Sequence, residues 1–406
     1  MVDSSGTVLA EDGLPYPAPF AEPQGWLAGL RTLVAGLGEE LRASVGAIAL
    51  AGTSGTLLLC RPDGSLASGQ LGLALPYHQA CPEQAEAAAR IAGPGLASAS
   101  GSLARALQLQ ANATAAGEAG PWLLRHQADW LMGWLLGDWR WGEEGNNLRL
   151  GWDLERRRWR GTIASQSWAA ALPQICCSGE SLGPLAPTAC RQLGLPAGCQ
   201  VVAGSTDANA GVLAANLQPG DGVTVLGTTL VLKQFCPQPI HGPGITCHRL
   251  AGRWLVGGAS NAGAGILLRF FSPAQIAELS RAIDPGRASG LQLRPLARPG
   301  ERFPIDDPSL QPLLGPRPVS DALYLQALLE GLAAIEQQGW QRLQDLGAPP
   351  LRRLITLGGG ARNPQWRALR QRLLGIPVLN RPQLSAALGM ARMAAAGWNN
   401  CSPEKP

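Results

Sequence analysis

Apolar and polar positions are most sharply organised between Val201 and Lys233. Val201-Val202-Ala203 is an apolar run that stops at Gly204, in a small polar turn holding Asp207. The Ala/Gly/Leu-rich segment that follows, to Asn216, predicts a tightly packed helix. A Pro219 to Gly222 turn opens a second apolar run, which Gly227-Thr228-Thr229 interrupts before Leu230-Val231-Leu232 resumes it. Glycine inside a strand pattern marks a bulge, a tight bend or a close backbone approach to a ligand. One carboxylate therefore stands at a strand-to-helix turn, with a Gly/hydroxyl hairpin close behind. That pairing suits a base for a hydroxyl beside backbone N–H groups that hold phosphate oxygens.

The rest of the chain alternates in the same way. Met1 to Pro19 reads as a strand end, a Ser4-Ser5-Gly6 turn, a strand Thr7 to Ala10 and a Pro-rich exit. Gln24 to Ser44 carries Trp26, Leu27, Leu30, Leu33, Val34 and Leu37 at helical spacing. Ala47 to Ala51 predicts a short buried strand that runs into Gly52-Thr53-Ser54-Gly55-Thr56. Thr53 and Ser54 can donate and accept hydrogen bonds, so this turn is either a polyol contact or an ordinary turn. In Pro76-Tyr77-His78-Gln79, His78 is either a substrate contact or a structural histidine. Pro82 to Gln110 and Trp122 to Leu136 read as helices, and the tryptophans between Trp130 and Trp152 as core or cleft wall. Leu193 to Gly198 reads as loop and short helix, and Thr246 to Val256 as a hairpin. Ser280 to Pro308 reads as an Arg/Pro-rich connection, Tyr324 to Leu346 as a long helix with one apolar stripe. Leu354 to Leu357 predicts a strand entering Gly358-Gly359-Gly360, then Asn363-Pro364 opens a helix. Three glycines let a flat ligand lie against backbone, and a helix N-terminus favours phosphate. A last helix covers Ser385 to Trp398.

Composition narrows the classes. At 406 residues the chain has room for two cored domains. It shows no apolar run long enough to span a bilayer and no signal-peptide pattern. The formal charge is +4, and Lys233 and Lys405 are the only lysines among 33 basic residues. The arginines are scattered, apart from a run at Arg156 to Arg160 that reads as a solvated loop, so neither a nucleic acid nor a membrane is an expected partner. Nine cysteines without a CxxC spacing point to reduced thiols and a cytoplasmic or, in a plant, stromal location. Cys176-Cys177 reads as two buried small residues. No GxxxxGK[ST], HExxH or Cys/His cluster is present.

Three pieces together resemble one family. GSTDANAGVLAA and VTVLGTTLVLK look like the catalytic-Asp segment and second phosphate loop of the FGGY carbohydrate kinases, and LITLGGGARNPQW looks like their adenosine loop. AIALAGTSGTLLLC, ERFPIDDP and QRLQDLGAPPLRR carry a finer likeness to the cyanobacterial and plant-plastid D-ribulose/xylulose kinase-like branch. The resemblance implies an α/β, two-domain, actin-like (ribonuclease-H-like) ATPase fold with a cleft between domains. Residues 1–215 would be a sugar-binding domain and 216–406 a nucleotide-binding domain. It implies ATP-dependent phosphorylation of a ketopentose, D-ribulose first and D-xylulose next. Asp207 would take the proton of the attacking hydroxyl, with Thr53, Ser54, His78 and Asp207 against the sugar. Gly227, Thr228 and Thr229 would hold ATP phosphates; Gly358, Gly359, Gly360 and Asn363 would hold adenosine. Mg²⁺ would offset charge on the transferring group, without an assigned protein ligand. GEEGNNLRLGW resembles the family's acidic/Asn stretch, and Ala51 stands where relatives often carry an Asp.

One departure shapes the expectations. The family places a strand with an Asp-Phe-Gly-Thr-Ser-like turn, its first phosphate loop, ahead of the initial hairpin; no such turn stands there in this chain. The first strand of domain one is then expected to be missing, and the chain as written to be poorly soluble or weakly active. The rival readings are a non-catalytic sugar- or nucleotide-binding relative, and a hydrolase of ATP or another phosphoester on the same architecture.

Overall fold

The computed structural model describes residues 1–92 and 98–396. Parts of the expected helices Pro82 to Gln110 and Ser385 to Trp398 lie outside these residues. The chain divides into two compact units. The first comprises Met1–Ala214, Arg249–Gly252 and Ser385–Pro406; the second comprises Ala215–His248 and Arg253–Leu384. The first break falls beside the expected boundary at 215, but the helix Ala386–Ala395, expected in the second domain, belongs to the first unit.

The first unit is built on a three-stranded sheet. Strand Gln200–Thr206 lies in the middle, parallel to Ala47–Gly52 and antiparallel to Ser181–Pro184. Helices Pro23–Gly36, Gln127–Leu136 and Pro187–Leu193 bring Val34, Met132, Leu135, Ala189 and Leu193 into one core with Val201 and Ala203. Helix Ala386–Ala395 packs on helix Asp207–Ala214 and on strand Ala47–Gly52. A second core holds Leu57, Leu59, Leu103, Leu109 and Leu124 around the helix Ser102–Ala115.

Three local expectations differ from the structure. Met1 to Ala10 forms a single bridge, Val2 to Val8, and no strand pair. Backbone bonds from Asp3 N to Thr7 O and from Leu9 N to Met1 O flank the bridge, and Asp3 closes its turn, Oδ1 accepting from the amides of Ser5 and Thr7. The segment expected as a helix from Trp122 begins as strand Leu123–His126, antiparallel to the wholly buried Leu57–Cys60, and becomes helix only at Gln127. A buried partner strand overrides helical spacing there. The helix expected near Leu193 to Gly198 lies earlier, at Pro187–Leu193, where Pro187 starts it and Gly194, at φ +63°, ends it.

The second unit carries a six-stranded sheet. Its order runs Ile245–Leu250, Arg253–Ala259, Leu230–Cys236, Asp221–Leu226, Arg353–Leu357, Val378–Asn380. Asp221–Leu226 is antiparallel to Leu230–Cys236 and parallel to Arg353–Leu357. Helix Asp321–Asp345 lays Leu325, Leu328, Leu329, Leu332 and Trp340 on the core that also holds Leu232 and Leu354. A buried polar cluster joins four of these elements. Glu336 accepts from Thr224 Oγ1 (2.5 Å) and from Arg370 through Nε (2.6 Å) and a terminal nitrogen (2.7 Å), while Arg370 also donates to Thr356 Oγ1 (2.7 Å). Both charged side chains are 1% exposed, so the pair is held by its full set of hydrogen bonds.

Candidate functional site

The first unit places the candidate base at a strand end. Ser205 and Thr206 finish the central strand buried, and Asp207, exposed, begins helix Asp207–Ala214. Its Oδ1 accepts from the Ala208 amide at 2.7 Å. Asp207 lines a cavity of about 1070 Å³ together with Thr53, Gln127, Tyr16 and the apolar side of strand Ala47–Gly52. Asp207 and Thr53 are thus brought together; Ser54 and His78 do not line that cavity. His78 is exposed and meets the Tyr77 ring edge-on at 5.2 Å.

The turn that carries Thr53 is fixed by groups whose importance was not read from the sequence. The Gln127 side-chain oxygen accepts from Thr53 N (2.9 Å) and Thr53 Oγ1 (3.0 Å). Its Nε2 donates to the Tyr16 hydroxyl at 3.3 Å. Thr53 Oγ1 also meets Thr56 Oγ1 at 2.6 Å, and Thr56 Oγ1 accepts from Tyr77 N at 3.0 Å. Buried Arg105 donates to the carbonyls of Gln79, Gly55, Tyr77 and Ser100, which binds the Thr53 turn to the Tyr77–Gln79 segment. Burial without a carboxylate holds that guanidinium below its ordinary pKa. The available signal was the polar trio Arg125-His126-Gln127, with Asp129, inside an otherwise apolar stretch.

The acidic/Asn stretch is structural. Glu143, 1% exposed, caps the short helix Glu144–Asn147 by accepting from the amides of Gly145 and Asn146, each at 2.8 Å. Asp129 accepts from Glu143 N (3.0 Å) and Asn147 Nδ2 (3.1 Å). Burial, with the neighbouring Glu144 carboxylate next, pushes the Glu143 carboxyl well above the usual range. Cys176 and Cys177 are buried as expected.

In the second unit the two glycine loops stand side by side. Gly227-Thr228-Thr229 leaves the carboxyl end of strand Asp221–Leu226, and Gly358-Gly359-Gly360 leaves that of its parallel neighbour Arg353–Leu357. Carboxyl ends of adjacent parallel strands are where open α/β sheets bind ligands. The Gly227 amide is spent on Thr229 O (3.1 Å), so side-chain hydroxyls at the surface come from Thr228, exposed, and Thr229, half-buried. The hairpin is braced from behind: Ala264 N donates to Gly227 O, and Gly265 N to Thr228 O. Glu301, from ERFPIDDP, holds that bracing turn by accepting from Ser260 Oγ (2.5 Å) and Asn261 N (2.7 Å).

The three glycines differ. Gly358 has φ +84°, and a Cβ there would lie 2.8 Å from Leu226 O. A Cβ on Gly360 would lie 2.6 Å from Leu226 Cβ and 2.8 Å from the Trp366 ring. A Cβ on Gly359 meets nothing within 4 Å. Asn363 caps helix Pro364–Leu374, its Oδ1 accepting from Trp366 N (2.9 Å) and its Nδ2 donating to Ser280 Oγ (2.8 Å). Both ends of that side chain are therefore engaged within the protein.

Residues 223–398 match the family model of the FGGY family of carbohydrate kinases, C-terminal domain. The chain has the α/β two-domain fold of the sugar kinases, in the actin-like ATPase class. It superposes on a xyloylose kinase from Brucella ovis with a TM-score of 0.80 at 23% identity, covering 98% of this chain and 87% of that one. With the Plasmodium falciparum glycerol kinase solved with ADP the TM-score is 0.77 at 15% identity, over 98% and 86% of the chains. In sequence it is 27% identical over 247 residues to the L-fuculokinase of Salmonella typhi, covering 56% of this chain and 49% of that protein. The chain spans about half the length of the curated relatives it matches.

Proposed function

We propose that this chain is an ATP-dependent carbohydrate kinase whose acceptor is a hydroxyl of a ketopentose, D-ribulose first and D-xylulose second. The observation that carries the reading is the pair of loops, Gly227–Thr229 and Gly358–Gly360, at the carboxyl ends of adjacent parallel strands. Thr228 and Thr229 offer donors to phosphate oxygens, and the open face at Gly359 accommodates a flat adenosine. Asp207, which lines one cavity with Thr53, would orient the sugar hydroxyl and take its proton. Ser54 and His78 stand outside that cavity and carry no part of this reading, and Asn363 would serve adenosine by holding the helix behind the glycines. Among the described residues no group of three or more His, Cys, Asp or Glu side chains could hold a metal. A magnesium ion carried on ATP phosphates needs at most one or two carboxylates, so this donor set is compatible with one. No helix of the described residues is long and apolar enough to cross a membrane.

The test is ADP release with MgATP and, separately, D-ribulose, D-xylulose, L-fuculose, glycerol or no sugar. Ketopentose-dependent release supports the reading. ADP binding without turnover on any sugar replaces it with a non-catalytic binding relative, and release without sugar replaces it with an ATP hydrolase.

A further inference from the structure

The hydrogen bonds around Thr53 determine where each proton lies. Backbone Thr53 N can only donate, so the Gln127 atom 2.9 Å away is the acceptor Oε1, and Nε2 faces Tyr16. That Oε1 has no proton, so Thr53 Oγ1, 3.0 Å away, gives it its only one. Thr56 Oγ1, 2.6 Å from Thr53 Oγ1, must then be the donor of that pair, and it in turn accepts from Tyr77 N. The chain of donation runs from Tyr77 N–H to Thr56, to Thr53, to Gln127.

Three hydrogen-bonding capacities remain on Thr53, Gln127 and Tyr16, which line the Asp207 cavity. Thr53 keeps one lone pair and no proton. Gln127 keeps the second proton of Nε2. Tyr16 accepts from Gln127, which leaves its own O–H proton to give. Tyr16 is held in place although it is 52% exposed: its ring packs edge-on against Phe20 at 5.1 Å, and Phe20 rests on the buried Trp26. Thr56 and Gln127 are 0% and 3% exposed, so the pattern is shielded from rearrangement by water.

We infer that Thr53, Gln127 and Tyr16 form a recognition wall for an α-hydroxyketone, with Gln127 and Tyr16 as specificity-determining donors to the ketone oxygen. One acceptor beside two donors complements a substrate O–H next to a C=O. The carbonyl has two lone pairs and no proton, so it can use both donors. A pentitol presents a hydroxyl at that carbon, whose own proton finds no acceptor on the Gln127–Tyr16 side. Discrimination arises chiefly at Gln127, which is 3% exposed and whose remaining donor the pentitol hydroxyl proton opposes, while the half-exposed Tyr16 contributes less. The inference rests on the ketopentose reading and adds the residues that would select the ketone.

Calorimetric titration of the full chain with D-ribulose and with ribitol tests it without requiring turnover. The parent is expected to bind the ketose at least about tenfold more tightly than the pentitol. Tyr16→Phe, at a half-exposed position where folding is not at risk, should lower the ketose-to-pentitol ratio severalfold. Gln127→Glu keeps the acceptor for Thr53 and removes the donor, and should lower the ratio further in protein that melts as the parent does. A parent that binds both sugars equally, or neither, overturns the inference, as does a ratio unchanged in folded Tyr16→Phe. Ketose selectivity without sugar-dependent ATP consumption would sink the kinase reading and leave the recognition wall standing.

Discussion

Gly359→Val separates nucleotide binding from folding, because the three consecutive glycines are glycine for different reasons. At Gly358 a side chain meets both an unfavourable φ of +84° and the Leu226 carbonyl at 2.8 Å. At Gly360 it strikes Leu226 and Trp366 at 2.6 and 2.8 Å, and such overpacking costs about 1–3 kcal/mol. At Gly359 a Cβ has no neighbour within 4 Å, so the fold itself gives no reason for glycine there. A substitution on that surface should change stability by no more than about 0.5 kcal/mol. If adenosine lies against this backbone, the valine side chain occupies its place. ADP should then bind at least about a hundredfold more weakly, which at 1.4 kcal/mol per factor of ten is about 2.8 kcal/mol. Calorimetry with ADP and a melting curve on the same preparation read the two quantities separately. Gly360→Val provides the contrast: its melting temperature should fall, whatever happens to ADP. Parental melting with ADP affinity within a factor of about three of the parent would refute the placement of adenosine at this loop.

Asp207→Asn should keep the Ala208 contact and the melting temperature while sugar phosphorylation falls by about 10²–10⁴-fold; turnover within a few fold of the parent rules out the base. Arg370→Leu strands the Glu336 carboxylate with Thr224 alone and should cost about 3–5 kcal/mol in chemical denaturation, whereas the double variant Glu336→Leu, Arg370→Leu should regain much of it; equal losses in both would show that the charge pair is not what matters. Because burial raises the Glu143 carboxyl above its unfolded value of 4.5, folding takes up a proton between that value and the raised one, and stability from this group is lost as pH rises through that window. Glu143→Gln, neutral at every pH but left with one acceptor oxygen for the cap, should lower Tm overall and flatten its fall with rising pH, and an unchanged slope would remove Glu143 as its source.

What could be read in advance was local and periodic. The strand and helix that meet at Asp207, the Gly227 hairpin, the long helix Asp321–Asp345 and the strand before Gly358 are each announced by an apolar run and its punctuation, although the first strand runs on through Gly204 to Thr206 where a polar turn was expected. Pairing decided the cases that differ. Leu123–His126 has helical spacing and becomes a strand because Leu57–Cys60 is there to pair with it. Thr7 to Ala10 has strand spacing but pairs with Met1 to Asp3 only through one bridge, closed by the turn in which Asp3 accepts from the amides of Ser5 and Thr7. Helix Ala386–Ala395 follows the Gly358 loop in the chain yet packs in the first unit, a long-range choice with no local signature.

The candidate site divides along the same line. Asp207 and the glycine loops are legible because each stands in contiguous punctuation near the end of an apolar run, and at Gly358 and Gly360 the backbone itself leaves no room for a side chain. The direction of the hydrogen bonds around Thr53 is not, because it is set by partners 74 and 21 positions apart, Gln127 to Thr53 and Tyr77 to Thr56. A glutamine and a tyrosine in isolation can each donate or accept. Only the fixed donor at Thr53 N removes the ambiguity of the amide, and the amide then removes that of two threonine hydroxyls and one phenol. Specificity at this wall is thus a property of a network with one unambiguous end, and substituting either end should change the preference for a carbonyl more than it changes the shape of the cavity.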